Sequence, residues 1–205
     1  MRICAHRGAS RGAPENTVEA LRLAIEGGAD SAEVDVRLSA DRVAVLCHDD
    51  HLGRIIGVPV VVRDCTLLQI RAVVGNRVPS LAEALAATGR ALPLNLELKG
   101  VRGQKGLPER VVAELRRAGR IRGTLVTSFA PRLALAARRL APGLRIGAVL
   151  AAPVPGLPRH PVDVFAVEAR AVTRDLVDAA HARGAEIHAW TVNRAREARR
   201  LAALG

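Results

Sequence analysis

Short apolar runs recur along the chain. Between them lie stretches in which apolar positions return every three or four residues. The runs predict strands over 2–6, 32–38, 43–47, 92–98, 124–128, 145–150, 163–168 and 186–191. The periodic stretches predict helices near 16–28, 80–88, 107–118, 131–140, 173–183 and 194–203. In the first helix the stripe is Thr17, Val18, Ala20, Leu21, Leu23, Ala24 and Ile25, with Asn16 expected as N-cap behind Pro14 and Gly27-Gly28 as its end. Ser80 and Glu83 have capping-box spacing at the second. Strands that are apolar almost throughout and alternate with helices belong in a parallel sheet covered on both faces. The repeated β–α unit predicts an α/β fold of the TIM-type (β/α) barrel class.

One connection breaks the alternation. Only Ser39 to Arg42 join the second and third strands, far short of the dozen or so residues that a parallel crossover needs. The pair is therefore expected to be an antiparallel hairpin turning near Ala40-Asp41, with Asp35 opposite Leu46 and Glu33 opposite His48. Residues 141–161, with Pro142, Pro153, Pro155, Pro158 and Pro161, read as loops around one strand. No Gly/Ser-rich linker and no internal repeat divides the chain, so a single domain over 1–205 is expected.

Composition alters this picture little. The chain has 205 residues, 49% of them hydrophobic, but its aromatics are only Phe129, Phe165 and Trp190, so the core must be built from Ala, Val, Leu and Ile. The net charge of +11 suggests a nucleic-acid binder. Against that, the arginines are dispersed along helices, as in Arg116-Arg117, Arg138-Arg139 and Arg199-Arg200, and stacking aromatics are missing. No nucleic-acid partner is expected; the positive field would instead steer in a small anionic substrate. Cys4, Cys47 and Cys65 have no metal-binding spacing, and Cys4 and Cys47 are expected as small buried hydrophobes in strands. No leader-like segment and no long apolar run is visible, so a cytoplasmic setting without a membrane span is expected.

The polar residues at strand ends carry the chemistry. Glu33 and Asp35, two apart on a strand, point to the same side. Two carboxylates in a small volume repel unless a cation neutralises them. Glu97 ends another strand, with Lys99 two residues on. Three hard oxygen ligands suit Mg²⁺ or Ca²⁺. His6 ends the first strand and His48 the hairpin; two histidines can deprotonate an attacking oxygen and protonate a leaving one. Arg7 and Lys99 would hold a phosphate, and Gly8 lets the backbone turn beside them. Lys99 stands out because only it and Lys105 are lysines among 31 basic residues. His51, His160, His181 and His188 lack such context and read as surface or core residues.

The ordered set His6-Arg7-Gly8, Pro14-Glu15-Asn16-Thr17, Glu33-x-Asp35, His48-Asp49, Glu97-x-Lys99 and Trp190-Thr191-Val192-Asn193 resembles the glycerophosphodiester phosphodiesterases. The resemblance implies a TIM barrel that hydrolyses glycerophosphodiesters to sn-glycerol 3-phosphate and an alcohol. It implies Glu33, Asp35 and Glu97 as metal ligands, His6 and His48 as the acid–base pair, and Arg7 and Lys99 as phosphate ligands. Glu15 and Asn16 would support the His6 loop, and Trp190 would line the pocket against glycerol. By the same resemblance, the glycerol hydroxyl attacks phosphorus first, giving a cyclic phosphate that water opens. A lysophospholipase D or another phosphodiesterase on the same scaffold, and a catalytically impaired, truncated barrel that only binds phosphate, are the competing readings. Asp50 to Pro79 leave room for only a small insertion, or none, between the His-Asp motif and the next helix. After 194–203 no stretch supplies the family's last strand, so the barrel is expected to lack its eighth strand. The edges of 2–6 and 186–191 would then face each other across a gap, with reduced stability and low activity.

Overall fold

The computed structural model describes residues 1–100 and 104–205. Its strands are β1 (Cys4–His6), β2 (Ser31–Leu38), β3 (Ala44–Leu46), β4 (Leu94–Leu98), β5 (Thr124–Ser128), β6 (Arg145–Leu150), β7 (Val164–Glu168) and β8 (Glu186–Trp190). The helices are α1 (Val18–Glu26), α2 (Gly53–Ile56), α3 (Leu67–Val74), α4 (Leu81–Thr88), α5 (Leu107–Arg117), α6 (Pro131–Leu140), α7 (Arg174–His181) and α8 (Ala195–Ala202). The sheet order is β1-β2-β4-β5-β6-β7-β8, parallel throughout, with β3 antiparallel on β2. This is a curled parallel half-barrel of the TIM type.

Alternation along each strand divides its side chains between two layers. Val34, Val36 and Leu38 of β2 and Leu94, Leu96 and Leu98 of β4 join Leu21, Leu81, Leu107 and Val111 in one core between sheet and helices. Each such large side chain contributes roughly 1.5–3 kcal/mol by leaving water. Phe165 is the aromatic in that core. The opposite face of β2 carries Glu33, Asp35 and Arg37, and that of β4 carries Asn95 and Glu97. A second, smaller core of Val45, Cys47, Leu52, Val62, Ile70, Val74 and Val78 lies under the segment from 50 to 79. The sequence reading missed α2, a single turn of four residues, and α3, whose eight residues are apolar on more than one face.

Three expectations are corrected. The N-cap of α1 is Thr17, whose Oγ1 accepts from Ala20 N at 3.1 Å. Asn16, at φ +59° in the left-handed region, sends its side chain elsewhere. The hairpin register is one residue off the expected one: Val36 faces Leu46, Arg37 faces Val45 and Leu38 faces Ala44. Its turn uses three residues, with Arg42 left-handed at φ +63° and Ser39 N donating to Val43 O at 3.0 Å. So Asp35 lies opposite Cys47, whose N–H donates to its carbonyl at 3.0 Å, and His48 is not paired with Glu33. Cys47 is buried as expected, but Cys4 is exposed, because β1 pairs on one side only.

β1 and β8 end the sheet, and neither pairs with the other among the described residues. Arg2 Nη2 reaches Glu186 at 2.9 Å, a side-chain link between the two rims.

Candidate active site

In a parallel barrel the C-terminal strand ends share one mouth. The register sets their levels: His6 stands beside Glu33, and Asp35 beside Glu97. One carboxylate oxygen each from Glu33, Asp35 and Glu97 lie within 4.8 Å of one another. Asp35 is buried to 1% exposure. Its Oδ2 accepts from Asn16 Nδ2 at 2.8 Å, and its backbone N–H donates to Asn16 Oδ1 at 3.0 Å. That reciprocal pair explains the left-handed Asn16: the loop after β1 folds back so that this side chain locks Asp35. Gly8 makes the same loop possible. It sits at φ +77°, where a Cβ would come within 2.7 Å of Ala20 Cβ.

Lys99 Nζ lies 2.7 Å from Asp35 Oδ1 and also bonds Glu97 Oε1. Burial pushes the Asp35 carboxyl up, but the Lys99 ammonium and the Asn16 amide outweigh it and hold it below the usual carboxylate range. Lys99 is itself raised, Asp35 and Glu97 overcoming its burial. Glu33 is the unsatisfied member: burial and the charges of Asp35 and Glu97 push it well above the ordinary value, and its buried Oε1 has no partner. Lys99 pairs directly with two of the three carboxylates, and on Glu33 its more distant charge and the Arg7 N–H do not offset the burial and the neighbouring carboxylates. An all-oxygen donor set with one orphaned buried oxygen fits a hard divalent cation.

Arg7 closes the site from the loop. Its N–H donates to Glu33 Oε2 at 3.1 Å, and its guanidinium lies 2.9 Å from Glu15 and 3.4 Å from Asp35. His6 Nε2 is 3.8 Å from Glu33 Oε2, and burial together with the Arg7 charge lowers its pKa. His48 Nδ1 lies 2.8 Å from Asp49 Oδ1. Arg54 bonds Asp49 and, at 2.7 Å, Glu15. An unbroken chain Arg7–Glu15–Arg54–Asp49–His48 therefore ties the two histidine loops together. Arg54 escaped the sequence reading because its partner Glu15 lies far away along the chain. Glu15 and Asn16 do more than support the His6 loop: one reaches the His48 side and the other holds Asp35. A cavity of about 210 Å³ opens beside His48, lined by Glu15, Asn16, Asp49, His51, Arg54 and Arg77 among others. Trp190 stands at the mouth on the far rim, its Nε1 donating to Ala166 O at 3.0 Å. Its ring meets Phe129 edge-on at 5.8 Å. Phe129, 52% exposed, was also missed; its position directly after β5 was the available signal.

A TIM-type half-barrel that gathers a carboxylate cluster, a lysine and two histidines at its mouth belongs to the barrels whose charged site lies at the C-terminal strand ends. The family follows from comparison: the model of the glycerophosphoryl diester phosphodiesterase family matches residues 6–205, and the chain belongs to that family. YhdW of Bacillus subtilis is 33% identical over all of this chain and 91% of its own length. A glycerophosphodiester phosphodiesterase of Caldanaerobacter subterraneus is 28% identical over 99% of this chain and 90% of its own. The structure of an Oleispira antarctica phosphodiesterase in complex with the product sn-glycerol-3-phosphate superposes with a TM-score of 0.83 at 26% identity, covering 100% of this chain and 90% of that one.

Proposed function

We propose that the protein hydrolyses small glycerophosphodiesters to sn-glycerol 3-phosphate and an alcohol, with Mg²⁺ or Ca²⁺ held by Glu33, Asp35 and Glu97. The observation that carries this is the buried three-carboxylate cluster with its orphaned Glu33 oxygen, set directly beside Lys99 and Arg7. When bound, the metal supplies Lewis-acid stabilisation of charge on the phosphoryl oxygens. The protein supplies the rest. Arg7 and Lys99 hold the phosphate, and His6 takes the proton from the attacking glycerol hydroxyl. His48, held by Asp49 at Nδ1, gives the proton on its Nε2 to the leaving alcohol oxygen; water then opens the cyclic phosphate so formed, losing a proton to His48 while His6 returns its proton to the glycerol oxygen. Trp190 with Phe129 offers an apolar wall for the carbons of glycerol.

The name of the Caldanaerobacter relative and the product bound to the Oleispira structure support this substrate class. Among the described residues no helix is long and apolar enough to cross a membrane. The three cysteines are unpaired; a single catalytic domain acting on a small-molecule substrate in a reducing, cytoplasmic setting is part of this proposal. The second reading, a barrel that binds phosphate without turnover, draws on the unpaired rims of β1 and β8, since His6 sits on one of them. Incubating the purified chain with glycerophosphocholine, with added Mg²⁺ or Ca²⁺ and with chelator, decides between them. Metal-dependent release of sn-glycerol 3-phosphate is expected. Phosphate binding without release would favour the second reading.

A further inference from the structure

Arg37 continues the stripe Glu33, Asp35, Arg37 on one face of β2 and is 5% exposed. A guanidinium taken out of water is costly and needs a return. Its partners here are not carboxylates. Nε donates to the carbonyls of Cys47 and His48, both at 3.1 Å, and Nη2 donates to His48 O at 2.6 Å. These carbonyls lie just past the point where β3 leaves the ladder, whose last bond is Cys47 N–H to Asp35 O. From there on Arg37 replaces the missing strand partner. Nη1 has no hydrogen-bond partner, so a full set of bonds is not what keeps the charge there. An apolar residue of similar volume would avoid burying the charge but would leave both carbonyls without this donor.

We propose that Arg37 is a positioning residue for His48. Its buried guanidinium clamps two consecutive carbonyls and thereby fixes where the His48 ring stands relative to Asp35, two residues earlier on the same strand face, and to the carboxylate cluster around it. Asp49 sets the rotation of the ring; Arg37 sets the place of the backbone that bears it. This rests on the acid–base reading of His48.

The test compares Arg37→Met, Arg37→Lys, His48→Ala and, as a remote core control, Ile146→Ala. Each is followed by melting temperature, by kcat and KM on glycerophosphocholine with Mg²⁺, and by the His48 ring resonance in metal-free protein, assigned by its absence in His48→Ala. Arg37→Met, which takes the donor from both carbonyls, should fold and melt modestly below the wild type. Its kcat should fall about 10- to 100-fold, as expected for a misplaced catalytic group, with KM little changed and the His48 resonance displaced. Arg37→Lys, which can still donate to both carbonyls, should recover part of kcat. Ile146→Ala should lower the melting temperature without moving the His48 resonance. Wild-type kcat in Arg37→Met, a loss carried by KM alone, or an unmoved resonance would overturn the proposal. Should Arg37→Met fail to fold, Arg37→Gln, whose shorter side chain cannot span both carbonyls, decides by the same readouts: a displaced resonance with reduced kcat supports the clamp, and a wild-type value of either removes it. If His48→Ala keeps its activity, the acid–base reading fails and takes the proposal with it. If His48→Ala is inactive while the Arg37 variants are unchanged, only the proposal fails.

Discussion

The wall formed by β2, β4 and β5 and the rim formed by β1 and β8 are built from the same kind of β–α unit, yet they differ in burial. β5 is buried at every position, and β2 at every position but its first; β8 is only half-buried along its length. Ile3, beside β1, is 61% exposed. The cause is pairing: the wall strands have neighbours on both sides, the rim strands on one. The chemistry is divided the same way. The carboxylate cluster and Lys99 stand on the wall, where burial makes charge expensive and a cation valuable. His6 and Trp190 stand on the rims, at the ends of β1 and β8.

The comparison is broken most strongly by attacking the wall's charge cluster. Chelation, or Asp35→Asn, should cost several kcal/mol of transition-state stabilisation, about 10³-fold in turnover; activity that survives both would remove the metal from the reading. His6→Ala on the rim and His48→Ala beside the wall should each lower turnover by about 10²-fold or more with the fold intact, as circular dichroism would show. Retained activity in one of them would assign the acid–base work to its partner alone. Stability sharpens the contrast. Leu96→Ala, at a fully buried wall position, should cost about 2–5 kcal/mol in denaturant unfolding, and Ile187→Ala on β8 less than half of that; equal costs would show that the rim is as well supported as the wall.

The smallest effect concerns the chain of ion pairs that links the two loops. Partial burial pushes Asp49 up, but its bonds to Arg54 and His48 prevail and bring it from 3.8 down to about 2. A carboxyl depressed on folding contributes stability above its unfolded value and loses it as pH falls. The contribution is therefore present above about pH 4 and lost between about pH 4 and pH 2. Arg54→Gln should remove much of that pH dependence while costing at most about 1 kcal/mol near neutrality, because Arg54 is half exposed. Acid titrations of the two proteins that run parallel across this window would contradict it.

The strands, the helices that flank them and the family were legible along the chain because each depends on spacing. Alternation placed Glu33 and Asp35 on one face, and an apolar run ending in Leu96-Glu97-Leu98-Lys99 marked a strand end. The hairpin was legible as a hairpin but not in register. A turn of two residues and one of three differ by a single left-handed Arg42, and nothing in a sequence states the φ of one arginine. The roles of Arg37, Arg54, Asn16 and Phe129 were not legible, because each depends on partners distant in sequence: Cys47 and His48, Glu15 and Asp49, Asp35, and Trp190. Spacing along the chain brought chargeable residues to the strand ends. Which of those charges find partners follows from distances between strands, and among the described residues it leaves Glu33 Oε1 buried with no hydrogen-bond partner.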